Sequence, residues 1–193
     1  MGNRTGFIKN IGKCCATGLA EFNFERKETM IFALIFIESL AASFILLLGC
    51  VVGIAKNNVN LVCFYEKPVW DRVIEKGLIT RKQIIKNANL FKLFSVLPLF
   101  VVTLFCVYYI NGARGFLEGF WQITAILIIS GLFDRFFIDT YWVGHTNAWI
   151  IPGTEDLMPY IHRNTMIKKW VLTLVGFPVV SAILSAVMMI FVQ

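Results

Sequence analysis

The chain has 193 residues and a net charge of +6, with 58% hydrophobic and only 16% charged residues. Soluble domains average roughly 45–50% apolar and about 25% charged residues, so this composition excludes an ordinary soluble domain, a disordered chain and a collagen-like chain. It predicts an integral membrane protein whose main partner is the lipid bilayer. The basic residues flank apolar runs, so we expect them to face lipid headgroups and expect no nucleic-acid partner.

The chain opens with a polar and amphipathic tail over residues 1–29, which carries five basic residues among scattered apolar ones. This pattern is typical either of a short helix lying on the headgroups or of a disordered segment. The adjacent Cys14 and Cys15 are interpreted as two interfacial thiols, with lipidation as the alternative. None of the five cysteines forms a C-x-x-C pair, which argues against a zinc site or a disulfide framework.

Four apolar runs are long enough to cross a membrane, because about 20 helical residues span the hydrocarbon core. We therefore predict an all-α bundle of four transmembrane helices in a single membrane domain. The predicted spans cover residues 30–55, 93–110, 116–143 and 159–192. The third is 28 residues long, about 42 Å as a helix, and should extend past a hydrocarbon core of about 30 Å. The fourth has an interfacial start, with Pro159 at its first helical position.

The connection over residues 56–92 is predicted to hold an amphipathic helix at 69–76, opened by Pro68 and closed by Gly77. Thr80 is the expected cap of the next helix, which runs into the second span. Amphipathicity places this connection on the membrane surface or at the mouth of the bundle. Within the spans, Pro98 and Pro178 predict local distortions. The link at 111–115 is so short that spans two and three should be antiparallel neighbours.

Four spans place both termini on one side of the membrane. The tail and the short link together carry six basic residues, whereas the other side carries eleven in residues 56–92 and 163–169. The positive-inside rule then predicts a multi-pass protein of the cell membrane whose 56–92 and 134–169 connections are cytoplasmic. The five basic residues of the tail favour the opposite orientation.

Glu38 is the only charged residue within the first predicted span. A carboxylate inside a membrane is costly and usually faces a partner or a wet cavity. One interpretation is a proton-linked or cation-binding site. The alternative is an inward-facing carboxyl group that is protonated or hydrogen-bonded to another helix.

The stretch from 134 to 162 concentrates ionisable side chains, including both histidines of the chain. Its members are Asp134, Arg135, Asp139, His145, Glu155, Asp156 and His162. Arg135 and Asp139 are four apart on a predicted helix and should form an ion pair. Four of the others follow or flank turns and could converge at the mouth of the bundle, namely His145, Glu155, Asp156 and His162. Histidine with carboxylates can bind a metal or perform acid–base chemistry there. The alternative is a set of interfacial polar residues within an aromatic belt.

An enzyme built on this stretch needs a base, carboxylates that orient it or ligate a metal, and a cation for an anionic group. We assign these roles, in that order, to His145 or His162, to Asp139, Glu155 or Asp156, and to Arg163. Glu38 and Asp134 are further candidates for ion binding. No H-E-x-x-H motif, phosphate-binding glycine loop or nucleophile elbow is present, so the sequence specifies neither a cofactor nor a metal.

Three function classes follow from these observations. The first is a non-catalytic accessory or scaffold component, acting as a homo-oligomer or with a partner membrane subunit. The second is a membrane-embedded enzyme acting on a lipid or amphipathic substrate at the cytoplasmic end of spans three and four. The third is a small oligomeric transporter or channel with Glu38 in its path.

Overall fold

A computed structural model of the protein describes the backbone of residues 4–191 and the side chains of residues 28–55 and 57–191. The described chain is 85% helical and has no strands, and four of its helices are long and apolar enough to cross a membrane. This confirms the predicted fold class. The helices are α1 (Arg4–Lys56), α2 (Lys67–Glu75), α3 (Arg81–Ile110), α4 (Phe116–His145) and α5 (Arg163–Phe191). From Arg4 onward the backbone of the tail is helical and continuous with the first span. The expectations for Cys14 and Cys15 concern side chains outside the described residues.

The ends of α2 and the start of α3 follow the local sequence signals. Pro68 lies in the first turn of α2, and Gly77 adopts a φ of 70° just beyond its C-terminus. A left-handed residue at that position is the usual way to end a helix. Thr80 and Gln83 form a capping box at the start of α3, which satisfies two backbone donors that a helix N-terminus leaves free. These three predictions are confirmed.

Short π-helical segments precede both span prolines. Lys92–Val96 in α3 is a π-helix followed at once by the turn that contains Pro98. Leu172–Gly176 in α5 is also a π-helix, and the turn that follows it contains Pro178. Proline lacks an N–H and collides with the carbonyl group one turn earlier, so a widened turn at that point relieves the clash. The predicted distortions therefore take the form of π-turns.

The spans pack through small residues. A Cβ atom added to Gly49 of α1 would collide with Ser95 of α3, and one added to Gly119 of α4 would collide with Tyr108 and Ser185. Such close approaches are typical of transmembrane helix interfaces. Ser185 of α5 is fully buried, and its hydroxyl donates to the backbone carbonyl of Phe116 at 2.7 Å. Ser185 of α5 therefore packs inside the bundle, against α4.

The two connections on one side of the bundle fold together into a single structure, which we call the cap (residues 57–80 and 146–162). Its apolar core contains the buried Val69 and Val73 of α2, together with Trp149 and Tyr160. Because α2 buries its apolar face here, it lies at the mouth of the bundle. The helix of the fourth span begins at Arg163 rather than Pro159, because the preceding residues belong to the cap.

Long-range hydrogen bonds join the two halves of the cap. The Tyr65 hydroxyl donates to the Trp149 carbonyl at 3.1 Å, and the Asn58 amide donates to the Ile150 carbonyl at 3.1 Å. The Lys76 ammonium donates to the Gly153 carbonyl at 2.6 Å. These bonds connect residues more than 75 positions apart, so the cap ties the α1–α3 connection to the α4–α5 connection.

Candidate functional site

The most heavily charged site lies where the cap end of α4 meets the start of α5. Asp139, which is 9% exposed, accepts hydrogen bonds from the Lys169 ammonium at 2.9 and 3.0 Å and also pairs with Arg135. Arg135 pairs with Asp134 as well. Two acids and two bases thus form a charge-balanced group, which we call the boundary cluster. The predicted Arg135–Asp139 pair is present in it.

The boundary cluster depends on a change of helix type. The sequence predicts an ordinary α-helix through this region, but Asp134–Trp142 is a π-helix. In an α-helix, residues five apart point in directions about 140° apart. In a π-helix the hydrogen bonds join residues five apart, which brings Asp134 and Asp139 to one side of the helix. Both carboxylates can therefore contact Arg135.

His145 makes no hydrogen bond or ion pair with another candidate residue in the described part of the chain. Its Nδ1 atom is 2.9 Å from the Thr140 carbonyl oxygen, and its ring stacks on Tyr141. The side chain is exposed. Its contacts therefore stay within the last turns of α4.

The candidate residues of the cap each have a different partner. Asp156 pairs with Arg72 at 3.2 Å, and His162 Nδ1 lies 2.9 Å from Glu66. The Glu155 carboxylate accepts the Gly153 N–H at 2.9 Å, and this bond holds the pKa of Glu155 below its ordinary value. These contacts fix the shape of the cap, and none of them joins two of the predicted catalytic residues.

Glu66 is the hub of contacts between the cap and α5. Its carboxylate accepts the Thr165 hydroxyl at 2.6 Å and the His162 backbone N–H at 3.1 Å. The Thr165 hydrogen bond, followed by the bond from the His162 N–H and the nearby imidazole, holds the pKa of Glu66 below its ordinary value. Arg163 occupies the first turn of α5, is exposed and makes no ion pair among the described residues.

The described residues contain no group of three or more His, Cys, Asp or Glu side chains that could hold a metal ion. The cysteines with described side chains are free, and Cys50 and Cys106 are buried as expected for packing residues. Burial raises the pKa of the Cys63 thiol to about 11, so this thiol stays protonated at neutral pH.

A second polar site lies within the bundle, near the link end. Glu38 is 7% exposed, and its Oε2 atom accepts a hydrogen bond from the Asn111 amide at 3.0 Å. The same amide lies 3.1 Å from Oε1 of Gln122, which is 3% exposed. Two spans and the link that follows α3 therefore contribute one polar side chain each to this group, which we call the Glu38 triad.

The Glu38 triad contains two buried oxygen atoms without a hydrogen-bond partner among the described residues. They are Oε1 of Glu38 and Oδ1 of Asn111. Leaving a buried polar atom unpaired costs about 1–3 kcal/mol, and more for a charged group. The site therefore has fewer hydrogen-bond donors and positive charges than its acceptor oxygens require.

Sequence reasoning passed over four residues that these sites use. The sequence places Lys169 among the basic residues expected at the lipid headgroups, with phosphate recognition as the alternative, and Glu66 only within a polar connection. Asn111 and Gln122 carried a usable signal, because an amide beside or within an otherwise uncharged span must find a partner. The partners themselves are set by how the spans pack.

No family model matches the chain, and no curated protein or solved structure is significantly similar to it.

Proposed function

We propose that the protein is a non-catalytic accessory or scaffold component of a membrane assembly, which presents the cap to a partner on the cytoplasmic side. One observation carries this proposal. Each residue predicted to perform acid–base chemistry is engaged in a separate structural contact, either in the boundary cluster, in the cap or within α4. These contacts give the cap a defined shape, as a binding surface requires.

The exposed face of α2 is the natural contact surface. Asp71 and Glu75 are exposed on it, and Leu78 just beyond it is 46% exposed. A photoreactive amino acid placed at each of these positions in native membranes should yield the same discrete protein adduct from all three. The control position is Ile183 of α5, which is 58% exposed on the lipid-facing surface. If none of the three positions yields an adduct, or if Ile183 yields an equal adduct, the proposal is contradicted.

A second candidate function is passage of a cation or proton past Glu38. The two unpaired oxygens of the Glu38 triad favour it, because a proton or a small cation would supply the missing positive partner. Purified protein in vesicles should then dissipate a proton or sodium gradient, and Glu38→Gln should abolish this flux. Glu118→Gln is the control, because Glu118 lies near the same end of the bundle and is exposed. Gradients as stable as those of empty vesicles would exclude this function.

A further inference from the structure

A groove of about 520 Å³ runs between α1 and α3 on the cap side of the bundle. Its volume lies in the range of about 300–1,000 Å³ that is typical of small-molecule sites. Gly49 and Gly53 line it on the α1 side, and the walls are Leu48, Val52 and Phe94. Each of these wall residues is more than 60% exposed in the isolated chain, so the groove opens sideways toward the bilayer.

The groove becomes polar at its cap end. Asn87 donates a hydrogen bond to the Asn60 carbonyl at 3.1 Å, and Asn60 donates to the Gly53 carbonyl at 3.3 Å. Both asparagines line the groove. An occupant therefore meets amide groups at one end and hydrocarbon along the rest of its length.

Two lysines lie beside this polar end. Lys82 and Lys86 line a depression that shares Leu90 with the groove. Along α3, Lys86 is one turn and Lys82 two turns from Leu90, about 6 and 12 Å toward the cap. Both lysines are exposed, and neither forms a salt bridge with a described residue. No described side chain therefore balances their positive charge.

We propose that the groove binds an anionic glycerophospholipid, with an acyl chain along Val52 and Phe94 and the phosphate against Lys82 and Lys86. The apolar channel, the amide groups and the unbalanced cations occur in the order in which a phospholipid presents its chain, ester groups and headgroup. Lysines at the membrane surface attract anionic lipid with about 1 kcal/mol each, which corresponds to about a fivefold preference per lysine.

The proposal can be tested by native mass spectrometry of the full chain taken from bilayers of equal phosphatidylglycerol and phosphatidylcholine. Wild-type protein should retain phosphatidylglycerol preferentially. The double variant Lys82→Gln/Lys86→Gln should lose this preference by about 25-fold if both lysines contribute fully. Lys168→Gln is the charge control, because Lys168 is exposed on α5 at the same end of the bundle. An equal loss with Lys168→Gln would show a general basic belt and overturn the proposal.

A second pair of variants tests the groove itself. Val52→Trp fills the groove and should reduce retention of both lipids by at least fivefold. Val175→Trp is the matched control, because Val175 lies on α5 outside the groove and is 58% exposed against 61% for Val52. Thermal unfolding of each variant checks that the fold persists. Unchanged retention in a folded Val52→Trp protein, or equal reduction in both variants, would mean that the lipid is only annular and would overturn the proposal.

Discussion

Asp139 is the shared carboxylate that pairs with both basic residues at the cap end of α4. It is largely buried and neutralises Lys169 from another helix as well as Arg135 from its own. Removing one partner of a buried ion pair is much more damaging than removing the pair, because the remaining charge is left without compensation. The boundary cluster is therefore a structural group whose members should show strong energetic coupling.

This coupling leads to a first prediction. Asp139→Asn should lower the free energy of unfolding by about 3 kcal/mol, because Lys169 and Arg135 lose their shared acceptor. Adding Lys169→Met to that variant should restore part of the loss. A double-mutant cycle measured by thermal unfolding in detergent micelles tests this. Purely additive effects of the two substitutions would contradict direct pairing between these side chains.

Glu66 gives the cap a dependence on pH. Its pKa is lowered from an ordinary value of 4.5 in the folded protein, so the charged form stabilises the fold. This contribution is fully present above about pH 4.5 and is lost as the pH falls through the lower folded value. Glu155 acts in the same direction, because its pKa is also lowered.

We therefore predict that the cap loosens in acid and that Glu66→Gln both weakens it at neutral pH and reduces this pH dependence. Tryptophan fluorescence during chemical denaturation, followed between about pH 3 and pH 7, measures the effect, since Trp149 lies in the cap core. Asp71→Asn provides a control at an exposed carboxylate of α2 that makes no ion pair among the described residues. Identical pH profiles for wild type and Glu66→Gln would refute the prediction.

At the scale of the elements, the spans approach one another where glycine leaves room. Gly119 is the clearest case, because α3 and α5 both press against it through Tyr108 and Ser185. Gly144, near the end of α4, is different. A Cβ atom added there would have its nearest neighbour, the Asp139 carbonyl oxygen, at an ordinary 3.8 Å.

These two glycines of one helix should respond in opposite ways to alanine. Gly119→Ala should destabilise the protein by about 1–3 kcal/mol, because it forces two spans apart. Gly144→Ala should be neutral or stabilise by up to about 1 kcal/mol, since alanine is the better helix former. The thermal unfolding temperatures of the two variants, compared with that of the wild type, measure both effects. Equal effects would indicate that helix propensity, rather than the contact between α4 and α5, governs Gly119.

At the scale of the whole molecule, the four spans place the cap and the 111–115 link on opposite sides of the membrane. We predict that the cap is cytoplasmic, following the larger number of basic residues on its side. Asp71→Cys and Arg114→Cys, each in a background without native cysteines, report the two sides, because both positions are exposed. An impermeant thiol reagent added to intact cells should label position 114 only. Labelling of position 71 alone would reverse the orientation, and labelling of both would refute the four-span topology.

The fold was predictable as far as local patterns reach. Hydropathy places the spans, while Pro68, Gly77 and Thr80 each mark a helix end through their own backbone chemistry. The cap was not predictable, because its hydrogen bonds connect positions such as Tyr65 and Trp149, which no local pattern relates. The boundary cluster and the Glu38 triad were likewise predictable only where a local pattern in the sequence indicates a contact.

The pair of Arg135 and Asp139 is visible from their spacing of four, whereas Lys169 joins them from 30 residues away. Likewise, the polar character of Glu38 is evident in the sequence. Its contact with Asn111, 73 positions along the chain, arises only from the packing of the spans. Local spacing therefore identifies candidate residues, and tertiary packing decides which of them meet.

The cap makes the two ends of the bundle mechanically unequal. At one end, hydrogen bonds from Asn58, Tyr65 and Lys76 join both long connections. At the other end, the chain connection between described spans is the five-residue link at 111–115. If the helices move apart, we expect the separation to be smallest at the cap and largest at the end that carries the link. Glu38 and Asn111 are in contact at the link end. A small rotation of one helix would therefore separate these two side chains and leave the structure of the cap unchanged.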